Sequence, residues 1–64
     1  MQLLRKGSKG EEVKRLQRLL KLKADGIFGP NTEKGVIRFQ MSNDLKVDGV
    51  VGNQTWTALL NIAH

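Results

Sequence analysis

From Val13 to Leu20 the apolar residues return every three or four positions, the spacing of one helical face. With Val13 at zero and about 100° per residue, Leu16 and Leu20 fall near 300° and 340° and Gln17 near 40°. Lys14, Arg18 and Lys21 fall at about 100°, 140° and 80°, a separate basic stripe facing solvent. Ser8-Lys9-Gly10-Glu11 fits a capping box and starts this first helix. Ahead of it, Leu3 and Leu4 form an arm that tucks back onto the core across the polar turn Arg5-Lys6-Gly7. The period then shortens: Leu22-Lys23-Ala24 alternates into the turn Asp25-Gly26. Pro30, after Gly29, suits the first position of a second helix, because that position needs no N–H and tolerates a fixed φ. This helix runs through Val36, Ile37, Phe39 and Gln40 to about Asn43, with Gly35 a weak spot inside it. Leu45-Lys46-Val47 alternates again into Asp48-Gly49, and a third helix, Asn53 to Ala63, carries Trp56, Leu59, Leu60 and Ala63.

The pattern is written twice. Asp25-Gly26-Ile27-Phe28-Gly29-Pro30-Asn31-Thr32 returns as Asp48-Gly49-Val50-Val51-Gly52-Asn53-Gln54-Thr55, an offset of 23 (48 − 25). The same offset pairs Val13 with Val36, Arg15 with Arg38, Gln17 with Gln40, Leu22 with Leu45 and Lys23 with Lys46. The unit is a helix, a short extended link, an Asp-Gly turn and the start of the next helix. The reading is an all-α, compact three-helix bundle built from two overlapping pseudo-repeats, residues 8–35 and 36–62, in a single domain spanning 1–64.

Composition narrows what such a bundle can do. At 64 residues and without cysteine, one apolar core must hold the fold unaided. The only histidine is His64, so a zinc site built on His and Cys is excluded by ligand count, and the sequence calls for no cofactor. The net charge of +5 is uneven: residues 1–24 carry eight cations against two anions (8 − 2 = +6) and the remainder nets −1. That field favours anionic partners. No apolar run approaches the ~18 residues that span a bilayer, and the start has no signal-peptide h-region.

The candidate chemistry divides into frame and surface. Asp25 and Asp48 can accept turn N–H groups while Gly26 and Gly49 supply positive φ. Acting as a catalytic pair they would have to converge to about 5–10 Å, which nothing in their spacing brings about. Gln17 and Gln40 each precede their Asp by eight residues (25 − 17 = 48 − 40), which makes them partners for the turn backbone. Thr32 and Thr55, with Gly29 and Gly52, complete the turn set. Ile27 and Phe28 are adjacent, so one faces inward and the other can edge a groove with Val51. Trp56 is open to either packing or a sugar-facing role. A nucleic-acid-binding domain is the alternative, through Lys14, Arg18 and Lys21, but the third helix has no Arg or Lys to serve as a recognition surface. A protein-interaction module using the first helix is a third.

Gly7-Ser8-Lys9-Gly10-Glu11-Glu12-Val13, Leu16-Gln17, the two Asp-Gly-x-x-Gly-x-x-Thr stretches, Phe39-Gln40 and Thr55-Trp56 together resemble the peptidoglycan-binding type 1 module of bacterial and phage cell-wall hydrolases. The resemblance runs from Arg5 to about Leu60. It implies a non-catalytic, monomeric module that targets a covalently attached lytic enzyme, such as a phage endolysin, to the wall, in the periplasm or outside the cell. It also implies no specific nucleic-acid partner. On that basis Ile27, Phe28, Asn31, Val51, Gln54 and Trp56 form the expected ligand surface, with Arg38 as a carboxylate partner. Gly35, where the family commonly has Ala, and Asp44, where Gly often precedes Leu, imply local loosening.

Overall fold

The computed structural model describes the backbone of residues 3–62 and the side chains of 3–61. Three helices follow one another: α1 (Glu11–Leu19), α2 (Pro30–Ser42) and α3 (Asn53–Ile62). Ala63, placed on the third helix by sequence, lies outside the described residues. Among the described residues the remaining pairing is limited to two isolated antiparallel bridges, Leu4–Val51 and Lys9–Ile27.

Helices α1 and α2 begin without side-chain caps. Gly10, with φ 120°, precedes α1, and its carbonyl accepts the Lys14 N–H at 3.2 Å. Gly29 precedes α2, with Pro30 at the first position, and its carbonyl accepts the Glu33 N–H at 3.0 Å. The Ser8 capping box does not form. Residues 7–10 are pinned along the first turn, Gly7 N–H donating to Phe28 O at 2.9 Å, Phe28 N–H to Ser8 O at 2.9 Å and Gly10 N–H to Gly26 O at 3.0 Å. That pairing holds Ser8 upstream of the helix, where its hydroxyl accepts the Arg5 N–H at 3.1 Å instead. Glu11 and Glu12 still occupy the first turn of α1, where the helix dipole favours negative charge.

The ends of α1 and α2 share a motif. Lys21 (φ 60°) and Asp44 (φ 55°) adopt the left-handed conformation just past each helix. Lys21 N–H donates to Arg18 O at 3.0 Å and Leu22 N–H to Gln17 O at 2.7 Å; Asp44 N–H donates to Met41 O at 3.4 Å and Leu45 N–H to Gln40 O at 2.9 Å. These are Schellman closures, which satisfy the last helical carbonyls and turn the chain sharply. Asp44 therefore keeps the closure that a glycine would make, but holds it at a positive φ. The basic stripe predicted for the first helix is broken, because Lys21 lies beyond α1 and Lys14 pairs with Glu11 at 3.2 Å.

The core draws on every segment: Leu4 from the arm, Val13 and Leu16 from α1, Phe28 and Val51 from the turns, Val36 from α2, and Trp56 and Leu59 from α3. Leu19, Leu20 and Phe39 pack against it. Leu4 is fixed there by exchanging hydrogen bonds with Val51, 3.1 Å from Leu4 N and 2.8 Å to Leu4 O, while Leu3 points outward. The arm thus crosses both Asp-Gly turns, pairing with one through residues 7–10 and with the other through Leu4.

Candidate functional site

Each Asp-Gly turn is built around a buried glutamine. Gln17 Oε1 accepts the Gly26 N–H at 3.0 Å, which fixes the orientation of the amide, since the reverse would set donor against donor. Its Nε2 lies 2.9 Å from Asp25 Oδ1 and 3.0 Å from both Ile27 O and Thr32 Oγ1, so two N–H groups serve three acceptors. Asp25 Oδ1 also takes the Ile27 N–H at 3.0 Å. In the second turn Gln40 Oε1 accepts from Gly49 at 3.0 Å and from Asp48 at 3.2 Å. Gln40 Nε2 reaches Asp48 Oδ1 and Val50 O at 3.0 Å and Thr55 Oγ1 at 3.1 Å. Gln17, Gln40, Thr32 and Thr55 are all buried, and burial of such groups is tolerated only when they are bonded in this way.

The carboxylates are held charged. The Ile27 N–H, and then the Gln17 amide, lower the Asp25 carboxyl below its ordinary range, and the Val50 N–H and Gln40 amide do the same for Asp48. Gly26 and Gly49 carry positive φ of 78° and 72°. A Cβ on Gly26 would also meet Lys14 Cε at 3.2 Å, because the lysine stem lies across the turn.

Beside the first turn a groove of about 360 Å³ opens between the link and α2. Leu22 and Gly35 line its apolar part, and Lys23, Asn31, Lys34 and Arg38 its polar part, with Asp25 at the edge. Among the described residues the single ion pair is Lys14–Glu11, so Lys23, Lys34 and Arg38 enter no ion pair. Against Asp25 the groove nets 3 − 1 = +2.

The residues expected to form the ligand surface are dispersed. Asn31 and Arg38 line this groove, and Gln54 lines another beside α3. Ile27 is half-exposed on the turn and lines neither of these grooves. Phe28, Val51 and Trp56 are 1%, 0% and 1% exposed, so they offer no face to a ligand and belong to the core. The two adjacent turn residues do take opposite faces, Phe28 pointing in and Ile27 out, and Val51 is buried with Phe28 rather than edging a groove. The backbone of Phe28 is paired with Gly7 and Ser8, and the Ile27 backbone is taken up by Asp25 and Gln17. Lys23 and Lys34 were not singled out from the sequence. Asn31, Lys34 and Arg38 recur at helical spacing on α2, the signal that would have joined Lys34 to the other two.

Residues 9–59 match the family described as "Putative peptidoglycan binding domain". The chain belongs to this peptidoglycan-binding domain family. Its backbone superposes on the SleB N-terminal domain with a TM-score of 0.95 at 35% identity, covering 98% of this chain and 94% of that one. On the Burkholderia AP3 phage endolysin the TM-score is 0.88 at 38% identity, over 91% of this chain and 24% of the endolysin. The zinc D-Ala-D-Ala carboxypeptidase of Streptomyces albus G is 36% identical over 92% of this chain. The chain spans only 26% of that carboxypeptidase. Nothing in these likenesses, nor in an α3 free of Arg and Lys, supports the nucleic-acid alternative.

Proposed function

We propose that this peptidoglycan-binding domain holds a covalently attached lytic enzyme at the bacterial cell wall, in the periplasm or outside the cell, binding the polymer as a monomer without cleaving it. The α2 groove is the contact surface, and its partner is a stem-peptide carboxylate. The observation that carries this reading is the set of three cations, Lys23, Lys34 and Arg38, that share one groove without an ion-pair partner among the described residues. Arg38 can grip a carboxylate with two N–H groups, Lys34 adds a point charge one helical turn away, and Asn31 can bond a peptide amide. Leu22 and Gly35 leave an apolar floor for a short side chain. The one hydroxyl at the base, Thr32, is already bonded to Gln17, which suits a frame residue rather than a nucleophile. The groove is shallow and the contacts few, so affinity for a single unit is modest and the repeating polymer makes up the difference.

Sedimentation with purified sacculi tests the reading. The chain should pellet with sacculi and stay in solution without them; equal pellets in both arms overturn wall binding. Lys34→Ala/Arg38→Ala should melt like the parent and bind about tenfold or more weakly. Undiminished binding by that variant places the contact elsewhere.

A further inference from the structure

The α3 groove is the counterpart of the α2 groove, rebuilt with different chemistry. Its volume is about 520 Å³, and Leu45, Asn53, Gln54, Thr57, Ala58 and Asn61 line it. All but Asn53 stand 23 positions after a lining residue of the first groove: Leu22, Asn31, Lys34, Gly35 and Arg38. Leu45 is set in place by the same helix closure as Leu22, its N–H on Gln40 O at 2.9 Å where Leu22 bonds Gln17 O at 2.7 Å. The two grooves therefore share a frame, and the differences between them lie in the side chains that face outward.

Those differences point one way. Lys34 is replaced by Thr57 and Arg38 by Asn61, which removes both helix-borne charges and leaves hydroxyl and carboxamide groups. Asn53, Gln54, Thr57 and Asn61 make no side-chain hydrogen bond among the described residues, so their donors and acceptors are available. Groups that both donate and accept match sugar hydroxyls and acetamides, and an uncharged ligand loses no solvation that would need a counter-charge. Leu45 and Ala58 supply an apolar floor on which an acetamide methyl can rest. The volume lies in the range of small-molecule sites, roughly 300–1,000 Å³.

We infer that the α3 groove is a second binding site, taking an uncharged N-acetylated sugar of the glycan strand, so that one domain reads the two components of the wall polymer through two related grooves. The inference rests on the wall-binding reading and extends it. Two weak sites on one rigid frame gain affinity on a polymer that carries both ligands, because the second contact is made at high effective concentration.

The test is an amide chemical-shift titration of the intact chain with two probes, chitotetraose for the uncharged sugar and a synthetic stem tetrapeptide for the carboxylate. Chitotetraose should move the signals of residues 53–61 and leave 31–38 in place, and the peptide should do the reverse. Thr57→Lys/Asn61→Arg, which gives exposed α3 positions the side chains of α2, should weaken chitotetraose about tenfold and bring peptide-induced shifts to α3. Chitotetraose shifts absent from 53–61, or confined to 31–38, overturn the second site while sacculus sedimentation continues to report on the first. Loss of sedimentation by the parent chain overturns both.

Discussion

The side-chain amide of Gln17 donates to the Asp25 carboxylate at 2.9 Å while its carbonyl accepts the neighbouring Gly26 N–H at 3.0 Å. One buried side chain thereby bonds both the acid and the glycine of the turn, and it reaches the start of α2 through Thr32 at 3.0 Å. Gln17→Ala strands the buried Gly26 N–H and removes the amide that Asp25, the Ile27 carbonyl and Thr32 share. Several orphaned groups at one site should cost about 2–4 kcal/mol. A domain of this length has roughly 3–10 kcal/mol in all. Urea denaturation should show a large fall in midpoint for Gln17→Ala, and a similar one for Gln40→Ala. A midpoint near that of the parent would mean that the turn holds without its glutamine.

The same bonds make folding sensitive to acid. Asp25 and Asp48 are lowered from the ordinary 3.8, so the folded chain takes up these protons less readily than the unfolded chain. Their contribution is complete above about pH 3.8 and is lost as the pH falls through the lowered folded values. Both carboxylates are solvent-exposed, which keeps the effect modest. Asp25→Asn/Asp48→Asn should be less stable near neutrality and should lose less on further acidification. The measurement is the urea midpoint at about pH 6 and about pH 2.5. Equal losses in parent and variant would assign acid sensitivity to other groups.

Much of this frame was legible in the sequence because it is written twice. The matching intervals from Gln17 to Asp25 and from Gln40 to Asp48 mark the glutamines as turn partners, and the helical periods place the three helices. Three things were not legible. The direction of Phe28 depends on pairing with Gly7 and Ser8, a contact between segments that local alternation cannot register. The burial of Val51 depends on the arm, which pairs Leu4 with it across the second turn, and Trp56 joins the same core. The cationic groove joins Lys23, from the link, to Lys34 and Arg38 on α2, so it exists only once link and helix have been brought together.

Lys21 and Asp44 carry φ of 60° and 55°, a conformation that crowds a Cβ against the backbone and that glycine adopts freely. Lys21→Gly and Asp44→Gly should each therefore stabilise the domain, by about 0.5–1 kcal/mol, despite adding freedom to the unfolded chain. Thermal or urea unfolding reads this directly. Destabilisation at Asp44 would show that its side chain contributes a contact worth more than the strain.

Gly35 sits inside α2, where alanine would be favoured by about 1 kcal/mol on helix propensity alone. Against that gain, a Cβ at this position would lie 2.8 Å from Leu22 Cδ1, closer than two such carbons can approach. The atom in the way is the free end of a flexible side chain on the groove wall, so a small rotation relieves the contact. The second groove shows the frame accepting the methyl, since Ala58 stands at the matching position beside Leu45. Gly35→Ala should therefore raise stability by about 0.5 kcal/mol, the propensity gain less the cost of moving Leu22. It leaves Lys34 and Arg38 unchanged but raises the apolar floor between them, so sacculus binding should fall less than in Lys34→Ala/Arg38→Ala. A lower urea midpoint would mean that Leu22 is locked against α2 and that the glycine is required by packing. A normal midpoint with binding lost would instead show that the ligand itself occupies the space above Gly35, and would place the wall polymer deeper in the groove than its cations alone require.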